Sequence, residues 1–194
     1  MSISLLYPTQ LSDVTQTFSP RSLLPLRQQS IWKIEAGVVR TITWLEDGTI
    51  AATGLWGPGD LVGKALSKME SYQIECLTTV EVSLLPVSRL YEETEALISN
   101  LQQSEAFSLI RSYRKIDAMV LKLLSWLAKK FGREVEAGHL IDLRLTHQDL
   151  AEMLGTTRVT ITRTLSQFEQ QGLIDRLPLR RIVLKESDFW HYEI

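Results

Sequence analysis

A chain of 194 residues with a formal net charge of −2, 44% apolar and 23% charged residues has an ordinary globular composition, long enough for one large domain or two small ones. Its longest apolar runs are a few residues, which excludes a transmembrane helix, and the opening MSISLLYPTQLSD lacks the basic stretch and apolar core of a signal peptide, so a cytoplasmic protein without a membrane partner is expected. One cysteine, Cys76, excludes an internal disulfide and a four-cysteine iron–sulfur cluster, and His139, His147 and His191 lack metal-ligand spacing, so neither metal nor cofactor is expected.

Residues 1–20, with Pro8 and Pro20, read as an irregular arm. From Ser30 the pattern changes to short β-branched runs, SIWKIE, GVVRTITWLE, TIAATGLWG and VEVSLLPV, punctuated by Gly, Asp and Pro. Asp47-Gly48 between two of them is a hairpin signal. This spacing predicts an antiparallel barrel or jelly roll with Ile31, Ile34, Val38, Ile42, Trp44, Val82 and Leu84 inside. Cys76 lies in a strand-like run and reads as a small core residue rather than a redox sensor. A short helix is expected over Leu90–Asn100 and a long one, free of Gly and Pro, over Ser104–Phe131. Ile116, Met119, Val120, Leu123, Leu124, Leu127 and Phe131 form a stripe on the long helix wide enough for two surfaces. Gly132–Gly138 reads as a hinge, followed by a strand, HLIDLRL.

The stretch THQDLAEMLGTTRVTITRTLSQFEQQ, residues 146–171, holds two apolar-periodic segments around the break LGTT. Thr146 and Asp149 have the spacing of a capping box, Gly155 suits a left-handed helix end, and Thr156 or Thr157 can cap the next helix. Two short helices across a Gly-containing turn make a helix-turn-helix, with Ala151 and Ile161 at the crossing. The second helix offers Arg158, Thr160, Thr162 and Arg163, and no acid occurs from Met153 through Gln167. Arginine can fork onto guanine and threonine hydroxyls can hold phosphate, which points to double-stranded DNA as the partner. Global charge gives no support, because residues 132–194 hold 8 Lys and Arg against 10 Asp and Glu; affinity must come from a local face. LIDRLPLRRIVL then reads as a hairpin wing carrying Arg176, Arg180 and Arg181, either backbone contacts or a solvated turn. No nucleophile–base pairing, phosphate-cradling glycine loop or carboxylate pair suggests an enzyme. A competing reading is a ligand-sensing or scaffold module whose helix-turn-helix contacts protein.

The segment IDLRLTHQDLAEMLGTTRVTITRTL resembles the DNA-binding end of the CRP/FNR family of transcription regulators, most of all its cyanobacterial NtcA-like branch. The resemblance covers most of the chain and implies an α+β fold in three parts: an effector-type jelly roll over 1–103, a dimerisation helix over 104–131, and a winged helix-turn-helix over 132–194. It implies a homodimer on an inverted repeat, contact with RNA polymerase, and DNA contacts by Thr146, Gln148, Thr157, Arg158, Val159, Thr160, Thr162 and Arg163. Most relatives carry glutamate where Val159 stands. Valine cannot accept from cytosine but can lie on a thymine methyl, and the NtcA-like match implies GTA…TAC half-sites. The family's effector pocket would fall at Gly63, Lys64, Ala65, Glu70 and Ser71, with Arg114 as a further candidate. Glu70 occupies the position of the phosphate-binding arginine, where its charge repels a phosphate, so neither cyclic AMP nor 2-oxoglutarate is the expected effector and none need be required.

Overall fold

The computed structural model describes residues 15–185. Its first half is built from hairpins of β-branched sequence: β1 (Gln16–Phe18), β2 (Ser30–Ala36), β3 (Val39–Trp44), β4 (Ile50–Trp56), β5 (Leu61–Val62), β6 (Gln73–Cys76) and β7 (Val80–Pro86). Asp47-Gly48 does turn the chain between β3 and β4: Gly48 has φ +80°, and the Asp47 carboxylate accepts from the Thr49 amide at 2.8 Å. The strands form two antiparallel sheets, ordered β1-β7-β2-β5 and β4-β3-β6. Between them lies a core of Trp32, Ile34, Val39, Trp56, Ile74, Cys76 and Val82. Ile31, Val38 and Ile42 are buried as expected, whereas Leu84 is half-buried and Trp44 is 38% exposed, because it sits where β3 runs out of the sheet. The described part of the expected irregular arm includes β1, which pairs with β7; residues 1–14 lie outside the described residues. Cys76 is fully buried and burial pushes its thiol up, which suits packing and not redox chemistry.

The long helix expected over Ser104–Phe131 is two helices, α1 (Thr94–Ser112) and α2 (Ile116–Phe131), with an extended break at Tyr113–Lys115. The physical reason lies in phase. Phe107 and Ile110 are buried against the β-domain, and a straight helix would carry Arg114 and Asp117 onto that same face, four and seven residues after Ile110. Breaking the helix leaves both charges exposed and gives α2 a new buried stripe of Val120, Leu123, Leu124 and Leu127. That stripe is consumed inside the chain, so the surface expected to meet a second copy is not free on α2.

The supposed hinge is also structured. Gly132–Val135 (β8) pairs with Gly138–Ile141 (β9), and these join β10 (Ile174–Leu177) and β11 (Arg181–Leu184) in a sheet ordered β10-β11-β9-β8. Helices α3 (His147–Leu154) and α4 (Arg158–Gln170) pack on each other, with α4 against β10 of this sheet and α3 against β4 of the β-domain. One apolar cluster runs from the outer face of β3 and β4 (Val38, Ile42, Ala52, Leu55) through α1 and α2 to Leu150, Met153, Ile161 and Leu165. The helix-turn-helix therefore shares a core with the β-domain. Among the described residues no helix is long and apolar enough to cross a membrane.

Candidate nucleic-acid interface

Local chemistry builds the two helices. The Thr146 hydroxyl accepts from the Asp149 amide at 2.9 Å, and the Asp149 carboxylate accepts from the Thr146 amide at 2.7 Å, the expected capping box. Gly155 ends α3 at φ +65°, a conformation that a side chain disfavours, and its amide returns to the Ala151 carbonyl. Thr157 caps α4 by accepting from the Thr160 amide at 3.1 Å. Ala151 and Ile161 are both buried at the crossing, which lets the helices approach closely.

This leaves the outer face of α4 open. Arg158, Val159, Thr162 and Arg163 are exposed there with half-buried Ser166, and Val159 is 75% exposed, a cost to an apolar side chain that packing inside the chain does not repay. Neither Arg158 nor Arg163 makes an ion pair among the described residues. Beside them, Thr146, His147, Gln148, Arg158 and Arg180 border an open basin of about 470 Å³. Arg180 arrives on the tip of the β10–β11 wing, in the three-residue connection Pro178–Arg180, where Leu179 and Arg180 take φ of +63° and +62° to reverse the chain.

Several expected contact residues are already engaged. The Thr162 hydroxyl donates to the Arg158 carbonyl at 2.9 Å and lies 2.7 Å from His147 Nδ1, so it must accept from that nitrogen. A neutral His147 then carries its proton on Nδ1. Burial first, and then the charges of Arg176, Arg158 and Arg180, push the imidazole's pKa down. Arg158 and Arg180 thus bring positive charge to this corner although the whole chain carries −2, while the Arg176 charge is paired with Glu169. Gln148 donates to Glu152 at 2.9 Å, and the Thr157 and Thr160 hydroxyls are 2.9 Å apart.

The structure does not gather the expected effector residues. A cavity of about 310 Å³ lies between the β-domain and α1, bordered by Thr41, Thr53, Trp56, Tyr72, Asn100 and Leu101 among others. None of Gly63, Lys64, Ala65, Glu70, Ser71 and Arg114 borders it. Glu70 and Arg114 are exposed, Ser71 is bonded to Thr43, and Lys64 reaches back to the Met69 carbonyl. Among the described residues, no Lys, Arg, Asp or Glu borders the cavity.

The comparisons with known proteins agree with this geometry. A family model described as the Crp-like helix-turn-helix domain matches residues 120–188. The chain is 44% identical over 159 residues to Regulatory protein CysR of Synechococcus elongatus, a match covering 80% of this chain and 77% of that protein. The chain belongs to the CRP/FNR family of transcription regulators. It is also 27% identical over 165 residues to a Global nitrogen regulator of the same species, covering 85% of this chain and 68% of that one. The solved CRP-family regulator TTHB099 of Thermus thermophilus shares its fold, with a TM-score of 0.75, 22% identity, and coverage of 88% and 92%. FixK2 of Bradyrhizobium japonicum gives a TM-score of 0.76 at 20% identity, with coverage of 92% and 95%. As a member of this family the chain is a regulator and not an enzyme.

Two groups of residues were missed from sequence. Arg21, Arg40 and Glu75 of the β-domain meet Asp149 and Glu152 of α3, and Asp60 meets Lys130 and Gln103. The one available signal was Arg40 inside the apolar run GVVRTITW. Val39, Arg40, Thr41 and Ile42 are all buried, so β3 is covered on both faces, and a charge there requires a partner.

Proposed function

We propose that the chain acts as a homodimer that reads an inverted-repeat operator through paired α4 helices. The observation that carries this is the bare, acid-free outer face of α4, with Arg158, Val159 and Arg163 exposed on a helix whose opposite face is locked into the core. Arg158 forks onto guanine, Val159 lies against a thymine methyl, and Arg163 takes a second base or a phosphate. Thr146, Gln148, Thr157, Thr160 and Thr162 then position the helix, with the wing arginines on the backbone. The half-sites are GTA…TAC-like and about one helical turn apart.

The second copy docks on α1. Ile98, Leu101 and Leu109 are exposed on that helix, on the side away from buried Phe107 and Ile110, at the three- and four-residue steps and multiples that a helix pair uses. RNA polymerase is the further partner that a regulator of this type would meet. Among the described residues the cavity beneath α1 has no cation for a phosphate or a carboxylate, which supports DNA binding without cyclic AMP or 2-oxoglutarate.

Selection of duplexes from a random library by the purified chain tests the reading. The expected product is the inverted repeat, bound with an affinity that falls steeply as salt rises and is unchanged by either effector. Val159→Glu should move the consensus toward C·G at the contacted position. The same consensus for both proteins would remove Val159 from the code. Protein binding without salt-dependent duplex binding would favour a scaffold role instead.

A further inference from the structure

On the side of the helix-turn-helix away from α4, three arginines from outside the unit hold α3. The Arg21 guanidinium donates to both Asp149 oxygens at 2.9 and 2.7 Å, and reaches Glu75 at 3.3 Å. Arg40 donates to Glu75 and to Glu152, each at 2.6 Å, and stands 3.2 Å from Asp149. Arg111, the penultimate residue of α1, donates from Nε to the Met153 carbonyl at 2.7 Å and from a terminal nitrogen to the Ala52 carbonyl on β4. Arg40, Asp149 and Glu152 are all buried. Arg21 lies at φ +67°, a region that few non-glycine residues adopt, and it is held there by a 2.7 Å bond from its amide to the Cys76 carbonyl.

The arrangement fixes α3 at both ends. Asp149 near the helix start is tied to the β-domain by Arg21 and Arg40, and near its end Glu152 is tied to Arg40 of β3 and the Met153 carbonyl to Arg111 of α1, which also reaches β4. Because α4 crosses α3 at Ala151 and Ile161, the clamp also sets the direction of α4 relative to α1. It does not cover the reading face, which stays exposed, so it cannot act by blocking DNA.

We infer that Arg21, Arg40 and Arg111, with Glu75, Asp149 and Glu152, are positioning residues that fix the distance and angle between the two reading helices of the dimer, and so determine the half-site spacing that this regulator accepts. The inference rests on the proposed dimeric reading of DNA. Its physical content is effective concentration: once one α4 is seated, a rigid partner helix meets a correctly spaced second half-site at high local concentration and a misplaced one hardly at all. Loosening the clamp lowers the first and raises the second. Contact between one α4 and one half-site is unaffected, because none of the six residues faces that groove.

The test measures duplex affinities of the full chain and of Arg40→Met and Arg21→Met. The duplexes are the selected inverted repeat, the same repeat with its spacer changed by one or two base pairs, and a single half-site. Arg21 is at the solvent edge of the cluster, so its variant remains informative if Arg40→Met does not fold, and circular dichroism checks both. The native chain should lose at least about tenfold on the altered spacers, while the variants lose about tenfold on the correct spacer, less than about threefold more on altered ones, and nothing on the half-site. Variants that match the native chain on all duplexes, or bind the correct spacer more tightly, overturn the inference while leaving the DNA-reading function in place. A native chain that does not recognise even the half-site overturns both.

Discussion

The two sides of the α3–α4 unit use the same residue type in opposite ways. On the outer side, Arg158 and Arg163 stand in solvent, and neither forms an ion pair among the described residues. On the inner side, the Arg40 side chain is 7% exposed among Glu75, Asp149 and Glu152, whose side chains are 13%, 3% and 8% exposed. An exposed guanidinium can exchange water for a base or a phosphate at small cost to the fold. A buried one surrounded by carboxylates cannot leave without stranding them. On the proposed reading, charge in this molecule is divided between recognition and geometry, and the two roles should separate in mutants.

The largest difference is expected in stability. Arg40→Met leaves three carboxylates around a cavity that keeps only the partly exposed Arg21, and should cost about 3–5 kcal/mol in urea unfolding. Arg163→Met should stay within about 0.5 kcal/mol of the native chain. Equal effects at the two positions would erase the distinction. DNA affinity should invert the ranking at the outer face: Arg158→Ala should lose about 1–3 kcal/mol of specific binding and relax one base position, with an unchanged unfolding midpoint. A smaller effect belongs to the α4 cap, where Thr157→Ala should cost about 1 kcal/mol of stability in the same assay.

Protonation gives the finest separation. Burial works against the charge of Asp149, but its bonds to Arg21 and to the Thr146 amide, with the nearby Arg40 and Arg21 charges, hold its carboxyl below the usual aspartate range. The folded chain thus binds that proton more weakly than the unfolded chain. The stability Asp149 contributes is complete above the ordinary aspartate range and is lost as pH falls through the depressed value. His147 is also depressed, by burial and by Arg176, Arg158 and Arg180, so stability should decline as pH falls through the imidazole range. DNA binding should respond the other way there. A phosphate in the basin favours the imidazolium, and Nε2 can donate only when protonated, so binding should take up a proton and tighten modestly as pH falls toward the depressed imidazole range. Calorimetry in two buffers of different ionisation enthalpy measures that uptake, which His147→Gln should abolish.

The outer face was legible in the sequence because its structure is decided locally. Thr146 and Asp149 are three residues apart, Gly155 ends its own helix, and Thr157 caps the next, so the chemistry of each signal is contained in a few neighbouring residues. The strands and the Asp47-Gly48 turn were legible for the same reason. The inner face was not. Arg21 and Asp149 are separated by 128 residues, and Arg40 and Glu152 by 112, so no spacing rule relates them. The break at Tyr113–Lys115 was missed because local propensity favours continuing a helix without Gly or Pro. Tertiary burial decided otherwise, since α1 and α2 bury faces that one straight helix cannot present together. The proposed dimer surface moved with it, from the stripe on α2 to Ile98, Leu101 and Leu109 on α1.

Hydroxyl-radical footprinting of the full chain on its selected duplex addresses the paired-helix reading most directly. Two protected windows related by the dyad of the repeat, with centres about one turn of B-form DNA apart, are expected. A single protected window, or two at a spacing that cannot place both α4 helices in successive major grooves, would contradict it.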